Sequence, residues 1–164
     1  MAYFLDADVF IRAKNLHYGF DFCPAFWEWL TGQNVSGRVF STEKVGDELQ
    51  AVADELSVWA AARGERFFLR PDAAVFPALA EVSAWAGGQH YEPAAVSTFL
   101  QVADYYLVAH AKSGKHTVVT HEIPSASTRR IKIPDACISL GIKCMTPYEM
   151  LRRERARFVL GPSP

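Results

Sequence analysis

FLDADVFI, residues 4–11, breaks an apolar run with two carboxylates one residue apart. Residues 3–5 read as a short buried strand and 9–14 as a first helical turn, which puts Asp6 at a strand's carboxyl end. Asp8 has a structural reading as the cap of a helix starting at Val9, its oxygen accepting an orphan amide. Asp6 has a functional one. In open parallel α/β sheets, functional residues gather beyond the carboxyl ends of the strands. Whether this strand has parallel neighbours therefore decides both the fold and the meaning of the acids.

Working outward, RVF (38–40) reads as a second strand, FFLR (67–70) as a strand or a connector, and TVVT (117–120) as a β-branched central strand, with a last strand at 142–145. Helical stretches separate them. PAFWEWLT (24–31) opens on a proline suited to a first helical position. After Ser41 and Thr42, which offer a cap, EKVGDELQAVADELSVWAAARG carries Val45, Leu49, Val52, Leu56 and Trp59 at helical spacing, and Gly64 closes it. The spacing predicts a helix over 72–86 with a break or kink near Pro77. Another runs over 93–112, from Pro93 to a stop at Gly114, with Val96, Leu100, Leu107, Val108 and Ala111 on one face. A proline-started short helix lies in KIPDAC and a last one begins at Pro147. Short apolar strands alternating with helices predict an α/β domain, a parallel sheet covered on both faces. One domain is expected over 1–160, with GPSP (161–164) a frayed tail.

The chain has 164 residues, half of them apolar, enough for one sizeable core. A net charge of -1 gives no global basic field, although a local basic edge would serve a nucleic-acid partner. Cys23, Cys137 and Cys144 are widely spaced with no CxxC pair, which reads as reduced thiols in a cytoplasmic protein. No apolar run approaches the roughly 18 residues of a membrane span. No HExxH motif or Cys/His cluster suggests zinc, and no glycine-rich phosphate loop follows a strand.

The most informative acid is Asp104. On a continuous helix over 93–112 it lies four residues after Leu100 and four before Val108, near the centre of the apolar face. A buried carboxylate there needs a partner, a hydrogen bond or a metal. Glu48 borders the apolar stripe of its own helix. Glu122 follows the strand 117–120 in T-H-E, and Asp135 follows Pro134, where first-turn helix chemistry also favours an acid. Acids gathered at one sheet edge repel each other, and a divalent cation removes the repulsion. Magnesium or manganese suits such an all-oxygen site and can promote phosphodiester chemistry.

In this order the acids resemble those of the PIN-domain nucleases. FLDADVFI supplies Asp6, KVGDELQ supplies Glu48, VADYYLVAHA supplies Asp104 and VVTHE supplies Glu122. With NLHYGFDFCPAFWEWL after the first strand and IKIPDAC near the end, the chain looks like the PIN-like subgroup commonly grouped with toxin–antitoxin modules. The resemblance implies a three-layer α/β/α sandwich and metal-dependent endoribonuclease activity. Asp6, Glu48, Asp104 and Glu122 would be the catalytic metal ligands, with Asp135 sharing or taking the fourth position. Ala7, Asp8 and Glu122 depart from the family's usual Ser or Thr, Asn or Ser, and Asp. An RNA substrate, an antitoxin partner and a homodimer are the partners it brings to mind.

Lys14, Asn15 and His17 after Asp8, and Arg129, Arg130 and Lys132 after Glu122, are candidates for holding RNA phosphates, with a wet loop or packing cluster as the structural alternative. Phe26, Trp27 and Trp29 read as core, and RRERAR (152–157) as a solvated helix face. FLDADVF also reads as the start of a haloacid-dehalogenase-type phosphatase with Asp6 as nucleophile, but the later acidic pair that family needs is missing. The non-enzyme alternative is an inert PIN-like scaffold that binds a partner.

Overall fold

The computed structural model describes residues 1–162, so residues 163 and 164 of the expected tail lie outside the described residues. The elements run β1 (Tyr3–Leu5), α1 (Ala7–Arg12), a π-helical turn (Ala13–His17), α2 (Pro24–Val35), β2 (Val39–Thr42), α3 (Glu43–Gln50), α4 (Glu55–Arg63), β3 (Phe68–Leu69), α5 (Val75–Gly88), α6 (Pro93–Gln101), α7 (Ala103–Gly114), β4 (Thr117–Val119), α8 (Ile133–Leu140), β5 (Lys143–Met145) and α9 (Pro147–Arg153). All strand pairs are parallel and the order is β3-β2-β1-β4-β5. The stretch 67–70 thus contributes an edge strand rather than a connector.

β1 is central because it is apolar on both sides. Tyr3 and Leu5 enter one core with Val39, Val45, Leu49, Phe26, Leu30 and Met150. Phe4 enters the other with Val82, Phe99, Leu107, Val108 and Ile133. Two cores on opposite faces of one sheet make the three-layer α/β/α sandwich, and every strand residue of β1 is buried. Phe10 anchors the first core, packing against Trp59, Phe67 and Phe68 with ring centroids 5.8–6.0 Å apart. Phe26 and Trp27 are core, as expected, and Trp29 is half-buried against it.

Four local expectations need correction. The stretch after Thr42 is two helices, not one. Thr42 does cap α3, but Asp54 starts α4 with a capping box to Ser57, and Lys14 Nζ lies 2.9 Å from Asp54. Val52, counted in the buried stripe, is 64% exposed in the connection. The stretch 93–112 is likewise broken, by Val102 in extended conformation (φ -109°, ψ 169°). Pro77 kinks nothing, because it is the third residue of α5, where its missing N–H is one the helix leaves unpaired anyway. The first helix begins at Ala7, two residues earlier than expected, so Asp8 is not its cap.

The tail of the described chain packs back on the first core through Ala156 and Phe158, whose ring meets Tyr18 and Phe26 edge-on. Glu154 Oε1 accepts from Tyr3 Oη at 2.7 Å, and burial with this contact pushes the Tyr3 phenol up to about 12. Part of RRERAR is therefore a strap and not a wet helix face. No described helix is long and apolar enough to cross a membrane.

The first core predicts its own test. Phe10→Ala removes a fully buried ring that three aromatics enclose, and lowers unfolding free energy by about 3–5 kcal/mol, read from the urea midpoint.

Candidate functional site

The sheet turns both ways from β1, to β2 on one side and β4 on the other, so the chain diverges beyond their carboxyl ends and leaves a crevice. Asp6 stands at its floor, only 6% exposed. Its N–H donates to Val119 O at 2.9 Å, which fixes it to the end of β4. Thr120 then donates its hydroxyl to Asp6 Oδ2 at 2.8 Å and accepts from Glu122 N–H at 3.0 Å. One threonine therefore orients Asp6 and turns the chain that carries Glu122. On the other side, Ser41 donates to Leu5 O at 2.6 Å and pins the last turn of β1 to β2.

The two glutamates face helix ends. Glu122 Oε2 accepts from Ile133 N–H at 2.8 Å, while Glu48 stands near Ala103 N–H, which offsets part of the rise that burial imposes on its carboxyl. Ile133 and Ala103 are the first residues of α8 and α7, whose own cap residues, Lys132 and Val102, make no side-chain cap. Glu122 supplies the missing cap of α8. Asp104 is the second residue of α7 and Asp8 the second of α1, so both acids sit at helix starts, where an acid is favoured. Asp8 Oδ1 lies 3.5 Å from His121 N.

Asp6, Asp8, Glu48, Asp104 and Glu122 all line one open cleft of about 580 Å³. Their proximity is reflected in their protonation. Burial first, then Asp8 and Asp104, raise Asp6 well above the ordinary carboxyl range. Asp104 is raised to about 7 by burial, then Glu122 and Glu48, against the opposing Arg130. Glu48 is raised more mildly, mainly by burial, although it stands exposed on the cleft wall. The basic side is Arg12, Arg130 and Lys132, with Arg130 3.2 Å from Glu122.

The other predicted residues lie elsewhere. Asp135 does not line the cleft; both its oxygens face Ser125 N, at 3.0 and 3.3 Å, and it braces the loop after β4. Glu122 takes the fourth acidic position. Lys14 is tied to Asp54, and Asn15 is exposed away from the cleft lining. His17 sits at the rim instead, its Nε2 2.9 Å from Tyr148 Oη and its ring 5.7 Å from that of His121. Arg129 lines an adjoining pocket. Of the basic stretch after Asp8, Arg12 is the residue that lines the cleft, while His121, which also lines it, was missed and had only its adjacency to Glu122 as a signal.

Among the described residues no three His, Cys, Asp or Glu side chains stand arranged to hold a metal ion as they are. Glu122 is turned toward the Ile133 N–H it caps. The donor set nevertheless fits a hard dication in its chemistry: all oxygen, crowded enough to drive protonation, with Asp6 and Asp104 at its centre.

A doubly wound parallel α/β domain with carboxylates at its switch point is the class that fold and crevice define. The chain belongs to the family described as Domain of unknown function (DUF4411), whose model matches residues 3–158. No curated protein and no solved structure matches it.

Protonation gives a stability test. Asp104 binds its proton up to about pH 7 in the folded chain, while the unfolded carboxyl releases it near 3.8. Between those values the folded state holds more protons, so stability falls as pH rises. Asp104→Asn removes the penalty, and its melting temperature exceeds the parent's by about 3 °C or more at pH 8, with no gain at pH 4. Thr120→Val leaves Asp6 without its hydroxyl donor and lowers the melting temperature at both values.

Proposed function

We propose that this protein is a metal-dependent endoribonuclease, hydrolysing RNA phosphodiester bonds at the β1–β4 crevice. The observation that carries the reading is the convergence of Asp6, Glu48, Asp104 and Glu122 on one cleft that also holds Arg12, Arg130 and Lys132. The same four acids carry the likeness to PIN-domain nucleases. The carboxylates suit a hard dication, and the cations beside them suit the phosphodiester it would act on.

A bound Mg2+ or Mn2+ supplies positive charge against the charge that develops on phosphorus oxygens and makes water more acidic. Asp6 and Asp104 are the residues to hold it, since burial removes their competition from solvent. Glu48 and Glu122, on the walls of the same cleft, would be the further ligands. Thr120 keeps Asp6 in one orientation. Arg130, beside Glu122, and Lys132 and Arg12 in the same cleft lining supply the positive charge that would meet the phosphate oxygens.

Two measurements test the reading. Mn2+ raises the melting temperature of the parent chain by binding the folded state alone, and Asp6→Asn and Asp104→Asn lose that rise. Cleavage of a labelled single-stranded RNA by the parent requires Mg2+ or Mn2+ and disappears in both variants while far-UV circular dichroism is retained. Full cleavage by both variants, or none by the parent in either metal, rejects the reading.

A further inference from the structure

Beside the acid cleft lies a second, more enclosed pocket of about 450 Å³. The two share Glu48, Asp104 and Arg130 as walls, so a chain lying against the carboxylates continues directly into it. Its inner surface is apolar. Ala95 and Phe99 of α6 and Ile131 of the loop before α8 are each no more than 5% exposed, and Val102 completes the floor at the α6–α7 break. Its mouth is polar, with Thr98 one residue from Phe99 and with Arg129 beside Arg130. Arg129 is held only loosely, 85% exposed and 3.7 Å from Glu92, so its guanidinium is available to a ligand.

We infer that this pocket is a base-recognition subsite of the proposed nuclease, taking one unpaired nucleobase next to the phosphate that lies in the acid cleft. The inference rests on the nuclease reading of the cleft and adds to it the residues that set sequence preference. The chemistry selects a base over other occupants. An apolar floor with an aromatic residue suits the faces of a flat heteroaromatic ring. The Thr98 hydroxyl, which both donates and accepts, and the Arg129 guanidinium in the same lining suit its hydrogen-bonding edge. The shared Arg130 places a cation where the nucleotide's phosphate must pass. The volume falls in the roughly 300–1,000 Å³ range of small-ligand sites, room for one nucleoside and not a stacked run. A base held in a partner strand's pair has its edge occupied and cannot enter.

The framework around the pocket is rigid enough to discriminate. Glu92 N–H donates to Thr128 O at 2.9 Å, which ties the loop to the start of α6. Asp135 holds the same loop from the other side, accepting from Ser125 N–H at 3.0 Å.

The test uses the full chain and two readouts. Cleavage products of a single-stranded RNA pool with a randomised segment are sequenced for the parent, Thr98→Trp and Arg129→Gln. Thr98→Trp fills the pocket from an exposed helix position, and Arg129→Gln removes the guanidinium from an exposed loop. The parent shows a base preference at one position beside the cut of about tenfold, and both variants reduce it to about twofold or less, with kcat/KM on the preferred RNA falling in step. In parallel, the four ribonucleoside 5′-monophosphates are titrated into the parent and followed by amide NMR. One of them shifts the Thr98, Phe99 and Ile131 signals, and Thr98→Trp abolishes the shift. Metal-dependent cleavage with no base preference, or a preference that both variants keep, overturns the subsite and leaves the nuclease reading standing. Nucleotide binding at Thr98 without cleavage of any RNA rejects the nuclease reading and with it a subsite of that reaction. Neither binding nor cleavage rejects both.

Discussion

Carboxyl groups crowd one crevice here, and much of the surrounding structure can be understood as what makes that crowding tolerable. Asp6 is nearly sealed from water and feels Asp8 and Asp104; Asp104 feels Glu122 and Glu48. Neutralising such a group by protonation is the chain's default below about pH 7, at the cost of stability above it. The fold offers a second remedy in backbone dipoles. The N-terminal ends of α1, α7 and α8 all open on the crevice, and each receives an acid: Asp8, then Asp104 with Glu48, then Glu122. Helix starts favour negative charge by about 0.3–1 kcal/mol each. That relieves the cluster in part and leaves it short of a full positive charge.

The caps tie the site to the scaffold. Because Lys132 makes no side-chain cap, the first N–H of α8 has its partner in Glu122. Moving Glu122 toward the centre of the cleft uncovers that helix end. Under the proposed metal-dependent reading, the crevice and the first turn of α8 are therefore coupled.

Much of the fold was legible in the sequence because β1 and β4 are short and fully buried, β4 being β-branched throughout, and because prolines mark the starts of α2, α6, α8 and α9. The helix breaks were not. Gln101-Val102 contains neither Gly nor Pro, and the apolar periodicity runs straight across it, so the pattern gave no sign that α6 and α7 are separate. At 51–54 the warning was present in Asp54 and Ser57 at capping-box spacing, but Val52 fell in phase with the stripe on either side. Asp104 is the instructive case. The reasoning that singled it out placed it mid-face on a continuous helix. Its position actually follows from being the second residue of a new one, aimed at the crevice by the break. A charged residue out of pattern was a sound signal of a special site even though the helix drawn through it was wrong. Asp135 had the opposite history. Its first-turn placement was read correctly from Pro134, yet its oxygens are spent on Ser125, which only the course of the loop decides.

The asymmetry of the crevice bears on the order of events in the proposed reaction. Its cations stand toward the rim, with Arg130 64% exposed and paired to Glu122, while the acids Asp6 and Asp104 occupy the interior. A phosphodiester approaching the empty site meets attraction at the mouth and repulsion at the floor. Surface cations alone act over about 8–10 Å in physiological salt and cannot reverse the sign at buried carboxylates a few ångströms from the phosphate. In the proposed reaction a dication held by Asp6 and Asp104 would offset that repulsion and favour the ionised carboxylates, so the interior acids would set the cation requirement while the rim residues Arg12, Arg130 and Lys132 guide the RNA's approach.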